Sequence, residues 1–408
     1  MTTSVDPAGG TGRPEVLRNR MVDELLAKDS FTSAAIEAAM RSVAREEFLP
    51  GVPLPEVYAA HDVVVVKRDG NGRAISSASA PWLVGLMLQE ADLREGHRVF
   101  EVGTATGINA CYLSRLVGRA GEVVSVEFDG DLVGNARRSL AAAGCTNVEV
   151  IHGDGEHGAP GHRAFDRIIV TVQAGDLAKA WLDLLAPDGL MVVPLLLRGI
   201  SRSITFEAEG DHWRSRATHV CGFVAMQGEG ACAQQVIAFN DDVFLLVHDG
   251  QDVDAQALTD AIATPAHQAW SGVPTAGDDF THLDFWLATA LAGYGRYHAG
   301  GASVEEGRVG RTVRFGSSAT WDGDTIAYVS YRELEGGGGF EFGAWAHGPG
   351  RELLAAQLAE EIRVWDRDRR KGPEPTVRAY RAGTPDDRLA TGRVVDLRHT
   401  RIVLCTDS

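Results

Sequence analysis

Apolar residues recur at helical spacing in two stretches near the start of the chain. Residues 18–27 carry Met21, Val22, Leu25 and Leu26, and residues 33–43 carry Ile36, Ala39, Met40 and Val43, which predicts two amphipathic helices. From residue 96 to 194 the pattern changes. Short apolar runs (HRVFEV, EVVSVEF, VEVIHG, DRIIVTV, LMVVPLLL) alternate with segments of helical period (ACYLSRLVG, LVGNARRSLAAAG, DLAKAWLDLLAPDG). Strand and helix in strict alternation predict an α/β fold, a doubly wound and mostly parallel sheet of Rossmann-like type with helices on both faces. Ligands of such folds sit at the carboxyl ends of the strands.

After the last of these strands, the glycine-rich GFVAMQGEGACAQ predicts a boundary. Beyond it, QQVIAFNDDVFLLVHDG reads as a strand pair and THLDFWLATALAGY as helical or mixed, while TVRFGSSATWDGDTIAYVSYREL and FEFGAWAHG alternate like antiparallel strands. The segment PGRELLAAQLAEEIRVWDRDRR places Leu354, Leu358, Ile362 and Trp365 on one helical face, fit to pack on a sheet. The expected organisation is therefore a mobile stretch over residues 1–14, a catalytic domain over 15–230 and an additional C-terminal α+β domain over 240–408. The histidines His248, His267, His282, His298 and His347 are dispersed there, and no metal-ligand spacing or nucleophile motif emerges.

Composition narrows the partners. The chain of 408 residues is 44% hydrophobic and 23% charged, the profile of a globular protein large enough for two domains. A net charge of -17 argues against a nucleic acid as main partner, because such binding rests on Lys and Arg neutralising phosphates. No run reaches the about 18 apolar residues of a membrane helix, and MTTSVDPAGGTGRPE lacks the order of a signal peptide, so no membrane association and a cytoplasmic location are expected. The five cysteines (Cys111, Cys145, Cys221, Cys232, Cys405) are scattered, without a C-x-x-C pair, and suggest neither disulfides nor zinc. A peptide or small molecule is the expected partner.

The stretch VFEVGTATG, residues 99–107, carries the candidate chemistry. A first strand ending in Gly103 and Gly107 lets backbone approach a ligand closely. It is not the G-x-G-x-x-G of dinucleotide folds, since Ala105 fills the middle position. A pyrophosphate needs that extra room; an adenosine with a small amino-acid tail does not. Glu127 ends the second strand, where a carboxylate accepts hydrogen bonds from ribose hydroxyls, and Asp154, in GDGEHG at the end of the third, is placed for the exocyclic amine of adenine.

The order and spacing of RNRMVDELL, IEAAMRSVAREEFLPG, VYAA, SASAP, VFEVGTATG, VVSVEF, NVEVIHGDGEHG and FDRIIVTVQA resemble the protein-L-isoaspartate O-methyltransferases over roughly residues 15–200. FDRIIVTVQA is specific to that family, as is the ending carried by Arg45, Glu46, Phe48 and Pro50. The resemblance implies S-adenosylmethionine (AdoMet) as methyl donor, leaving as S-adenosylhomocysteine, with no metal. It implies that Glu101, Gly103, Thr104, Ala105 and Gly107 hold the methionine end, Glu127 the ribose, and Asp154 with Gly155 the adenine, with Phe128 also binding the cofactor. It places the functional hydroxyl at Ser79, with Ser77, Ala80 and Thr171 beside the substrate. A carboxylate is already ionised near neutral pH, so the transfer needs positioning rather than a strong base, and a hydroxyl orients the acid without neutralising it. SASAP followed by WLVGLMLQEA is also a good helix N-cap with a proline start, a structural role for Ser79 that is compatible with the functional one.

Two departures from the family bear on substrate. Ala60 stands where the family has an acid after Tyr58, and VVVVKRDGNGRAI is a longer segment that reads as a hairpin with an Asp-Gly-Asn-Gly turn. The chain also runs on well past the resemblance. Its two-domain length resembles the larger homologues of lanthipeptide and related ribosomal-peptide pathways, which implies methylation of an aspartate in a precursor peptide, with closure to an aspartimide and opening to isoaspartate. The C-terminal domain is then a peptide-recognition module. Repair of isoaspartyl damage is the alternative, favoured by SASAP and FDRIIVTVQA, and a non-catalytic AdoMet-binding regulator is the reading of another class.

Overall fold

Two helices, α1 (Pro14–Ala27) and α2 (Ala34–Ser42), lead the computed structural model, which describes residues 13–232, 234–275, 280–334 and 336–405. They bury Met21, Val22 and Leu25 on α1 and Ile36, Ala39 and Met40 on α2, the faces that the apolar spacing marks. The expectation of a mobile start lies outside the described residues up to residue 12, and α1 already begins at Pro14, a residue with φ suited to a first helical turn. A short α3 (Leu54–Val57) follows, and then the hairpin β1 (Val64–Arg68) and β2 (Ala74–Ala78), antiparallel as its turn residues predict. The Asp69 carboxylate accepts the amides of Asn71 and Arg73 at 2.9 Å each and so closes that turn.

Next come α4 (Pro81–Glu90), β3 (Arg98–Val102), α5 (Ile108–Val117), β4 (Glu122–Glu127), α6 (Gly130–Ala142), β5 (Val148–His152), β6 (Phe165–Val170), α7 (Lys179–Leu184) and β7 (Leu185–Leu197). The five strands pair in the order β5-β4-β3-β6-β7, every pair parallel. The chain winds outward from β3 in both directions, so a crevice opens at the carboxyl ends of β3 and β6, where the winding reverses. These strands are buried on both faces, as Val99, Phe100, Val123, Val124, Ile168 and Ile169 show, which is why they read as continuous apolar runs.

The helix expected through residue 189 ends at Leu184, and Leu185 already pairs with Phe165 in the sheet. Two strands escaped the sequence pattern, β8 (Ile200–Glu209) and β9 (His212–Val220), which extend the sheet beyond β7. Arg198 (φ 51) and Gly199 (φ 87) make the tight turn into β8, with both central residues left-handed as a two-residue hairpin requires.

The chain divides into two compact units. One comprises the residues up to Leu195 with Arg202–Gly210 and Ser215–Ala231; the other comprises Leu196–Ser201, Asp211–Arg214 and Cys232–Ser408. The change of unit at residues 231–232 falls inside the glycine-rich stretch. In the second unit the elements are β10 (Gln234–Ala238), β11 (Val243–His248), α8 (Ala255–Ile262), β12 (His267–Thr275), α9 (Phe280–Ala290), β13 (Gly295–Ala299), α10 (Gly301–Glu305), β14 (Ser317–Asp322), β15 (Thr325–Glu333), β16 (Phe340–His347), α11 (Arg351–Asp368), β17 (Thr376–Arg381), β18 (Arg393–Asp396) and β19 (Thr400–Cys405). An antiparallel sheet runs β10-β11-β13-β14-β15-β16-β12, and α11 packs on β12, β15 and β16 through Ala355, Leu358, Ile362 and Trp365. Strands β18, β19 and β17 pair in that order. No helix among the described residues is long and apolar enough to cross a membrane.

Candidate functional site

Gly103 and Gly107 are glycines for different reasons. Gly103 has φ +96, and a Cβ there would meet the Thr171 hydroxyl oxygen at 2.8 Å, so the ends of β3 and β6 close up only around bare main chain. Gly107 has φ +88, caps the start of α5, and a Cβ there would approach Leu140 at 3.2 Å. Between them Ala105 also holds a left-handed conformation, φ 47. What fixes it is its amide, which donates to Glu127 Oε2 at 2.7 Å.

Glu127 ends β4 and is 6% exposed; its other oxygen, Oε1, accepts the Asp129 amide at 2.9 Å. Burial raises its pKa, and those amides pull the other way. Glu101 lies on β3 with no exposure at all. It accepts Asn109 Nδ2 at 2.7 Å and the Ser125 hydroxyl, while Thr104 Oγ1 sits 2.5 Å from Ser125 Oγ. Burial pushes the Glu101 carboxyl up to about 7. It therefore braces the 103–107 turn and the start of α5 from behind.

The cleft at these strand ends measures about 930 Å³ counted to its open mouth. Ile75, Ser76, Ser77 and Ser79 contribute to its lining from the end of the hairpin, and Phe223, Val224, Met226 and Gln227 from a segment after β9. That segment is laid in place by main chain: Gln173 N donates to Val224 O at 2.8 Å and Met226 N to Gln173 O at 2.9 Å. The Gln227 amide reaches Ile75 O at 3.3 Å. Lys67 pairs with Asp129 and so ties the hairpin to the loop that follows Glu127. Phe128 lines the cleft and is 45% exposed.

Of the residues expected at the site, Ser77, Ser79, Thr171, Gly103, Thr104, Ala105, Glu127, Phe128 and Gly155 line one cleft. Four do not. Ala80 is buried as the N-cap of α4, Glu101 and Gly107 act from behind the turn as described, and Asp154 holds other parts of the chain. Its Oδ1 accepts the Glu156 amide at 3.0 Å and its Oδ2 the Glu229 amide at 2.8 Å. Thr171 lines the cleft with its hydroxyl donating to Gly103 O at 2.6 Å, which makes it a brace for the turn. Ser79 does not cap α4, where Ala80 stands without a side-chain cap, and its hydroxyl has no partner among the described residues. Arg45, Asn109 and the 223–227 segment line the cleft without having been assigned to it. The segment was hidden by its glycines: Gly228 needs φ +79 where a Cβ would strike Asp154, and such glycines read in sequence as a linker.

Comparison with known proteins gives the family. The profile of the family described as protein-L-isoaspartate(D-aspartate) O-methyltransferase (PCMT) matches residues 16–230, which include the whole lining of the cleft. Protein-L-isoaspartate O-methyltransferase 2 of Archaeoglobus fulgidus is 38% identical over 172 residues, 42% of this chain and 75% of the relative. A protein-L-isoaspartate O-methyltransferase of Methanothermobacter thermautotrophicus is 31% identical over 214 residues, 52% of this chain and 95% of the relative. A solved structure titled protein-L-isoaspartate O-methyltransferase shares the fold at a TM-score of 0.52 and 20% identity, over 95% of this chain and 99% of its own. The methyl donor is AdoMet, and the cleft fits it: bare main chain at Gly103 and a strand-end carboxylate at Glu127. The chain belongs to the protein-L-isoaspartate(D-aspartate) O-methyltransferase family and is an AdoMet-dependent carboxyl O-methyltransferase.

Proposed function

We propose that the chain methylates the free carboxylate of isoaspartyl residues in proteins or peptides. The observation that carries this reading is the Ser79 hydroxyl, which lines the cleft beside the 103–107 turn and has no partner among the described residues. AdoMet supplies an electrophilic methyl on a sulfonium. In this reading the main chain of the 103–107 turn, bare at Gly103, lies against its amino-acid end, Glu127 holds its ribose, and Gly155 with Met226 and Phe128 form the apolar surroundings of the adenine. Asp154 acts indirectly, by fixing the segment that carries Met226.

Ser79 donates a hydrogen bond to one oxygen of the substrate carboxylate and leaves its charge intact. The other oxygen attacks the methyl from the side away from sulfur, the C–S bond breaks as the O–C bond forms, and a methyl ester and S-adenosylhomocysteine result. Removing water from the carboxylate and holding it in line are the protein's main contributions. The following backbone nitrogen of the substrate then displaces methanol from the ester to give a succinimide, which hydrolysis opens.

The reading in which an aspartate of a ribosomal precursor peptide is the acceptor drew on the length of chain beyond residue 230. That length is shared in fold by the solved isoaspartate methyltransferase above, so it does not single out a biosynthetic peptide. What still favours a particular substrate is the hairpin of β1 and β2, whose Ile75, Ser76 and Ser77 line the cleft. We assign selection of the protein substrate to the second unit in part. The test is mass spectrometry of matched peptides carrying isoaspartate or aspartate, incubated with the protein and AdoMet. A mass gain of about 14 (one CH2) on the isoaspartyl peptide alone supports this reading, and a gain confined to aspartyl peptides overturns it.

A further inference from the structure

Arg45 is 1% exposed, yet it lines the cleft. It opens the 3-10 turn Arg45–Glu47 just after α2, and its Nε donates to Val57 O at 2.9 Å. Among the described residues its two terminal nitrogens donate to nothing and no carboxylate pairs with it. Its neighbour Glu46 is engaged by Arg18 and Tyr58. A guanidinium held out of water without a counter-charge is costly, so a buried one at a cleft wall points to an anionic ligand.

The position of Arg45 says which anion. Phe48 and Leu49, three and four residues on, line a neighbouring groove together with Ala105 and Thr106. The turn that carries Arg45 thus lies on the side of the cleft made by the 103–107 turn. We propose that Arg45 is the counter-charge for the α-carboxylate in the methionine portion of AdoMet, an inference that rests on the 103–107 turn holding that portion. Asn109 completes the recognition of the amino-acid group. Its Nδ2 donates to Glu101, and its Oδ1 has no donor among the described residues, which leaves an acceptor for the α-ammonium. The acceptor carboxylate of the peptide is the poorer candidate, because a guanidinium on it would hold back the electron pair that must attack.

Calorimetric titration with S-adenosylhomocysteine and with its carboxamide, which lacks only the carboxylate charge, tests this directly. The unaltered protein is expected to bind the acid at least about tenfold more tightly than the amide, the size of one charge-assisted bidentate contact. Arg45→Gln should weaken the acid by a similar factor and leave the amide within about twofold. Equal binding of acid and amide by the unaltered protein overturns the proposal, and that arm needs no variant to fold. Equal loss of both ligands in Arg45→Gln also overturns it, since the residue would then serve the fold. So does an unchanged affinity for both with a raised KM for the isoaspartyl peptide, which would move Arg45 to the acceptor. Failure of both adenosyl ligands to bind the unaltered protein would instead refute the placement of AdoMet in this cleft, and this proposal with it.

Discussion

The amide of Ala105 donates to the Glu127 carboxylate at 2.7 Å, which joins the turn after β3 to the end of β4. Removing Glu127 therefore has two effects. It deletes the acceptor assigned to the ribose hydroxyls and frees an alanine held at φ 47. Glu127→Ala should weaken AdoMet binding by about 1–3 kcal/mol, the range of a charge-assisted hydrogen bond, and lower the melting temperature as well. Glu127→Gln, which keeps one carbonyl oxygen for the Ala105 amide, should lose less on both counts. Unchanged calorimetric affinity in the alanine variant would remove Glu127 from the site.

Ser79→Ala separates placement of the acceptor from support of the fold. Because Ala80 caps α4 without side-chain help and the Ser79 hydroxyl has no described partner, stability should stay within about 0.5 kcal/mol of the original. AdoMet affinity should also hold. Single-turnover methylation should slow by on the order of tenfold to a hundredfold, the worth of one hydrogen bond to a charged group. A fall in cofactor affinity with methylation intact would transfer the hydroxyl to the cofactor.

Glu101 gives the protein a pH dependence of a stated sign. Burial raises its carboxyl from an ordinary 4.5 to about 7. Between those values the folded protein keeps a proton that the unfolded chain has released. Stability from this group is thus fully present below about 4.5 and is lost as pH rises through 7. Glu101→Gln has no proton to lose, so the stability of the variant relative to the original should increase from pH 5 to pH 8 by about 3 kcal/mol at most. Denaturation curves whose separation does not change with pH would contradict this.

Most of the first unit was legible because its physics is local. Parallel strands buried on both faces read as apolar runs, and Gly103, Glu127 and Gly155 sit at or just past strand ends, where ligands of such folds lie. Residues that act at a distance along the chain were harder. Asp154 stands at a strand end like the others, yet its oxygens reach Glu229, 75 residues on, a pairing no local pattern reveals. Thr171 and Glu101 have suitable chemistry and turn out to brace main chain and side chains. Arg45 is visible in sequence only as part of a helix-ending motif, and its burial without a partner is a property of the packed chain.

Asp154 can be tested as a clamp rather than as an adenine ligand. Asp154→Ala frees the amides of Glu156 and Glu229, a cap-type loss of about 0.5–2 kcal/mol. Hydrogen exchange should speed at the Glu229 amide and along the 223–227 segment, and AdoMet affinity should fall as the Met226 wall loosens. Direct adenine contact predicts the affinity loss without faster exchange at Glu229.

In the second unit, Asp284 on α9 pairs with Arg296 on β13, with the Tyr294 and Ser318 hydroxyls also on the carboxylate; Asp284 is 5% and Arg296 7% exposed. Removing one member of such a pair strands the other charge away from water. Asp284→Ala should therefore destabilise the second unit by about 3–5 kcal/mol, whereas the double change with Arg296→Met should recover part of the loss, since apolar groups of similar volume can replace a buried pair. The same variants address selection of substrate. If the second unit helps to choose the protein to be methylated, loosening it should raise KM for a folded isoaspartyl protein much more than for a short isoaspartyl peptide, because only the larger substrate offers the extra contacts. AdoMet affinity should stay as it was, since every residue lining the cleft belongs to the first unit. Equal rises in KM for protein and peptide would show that the second unit takes no part in selection.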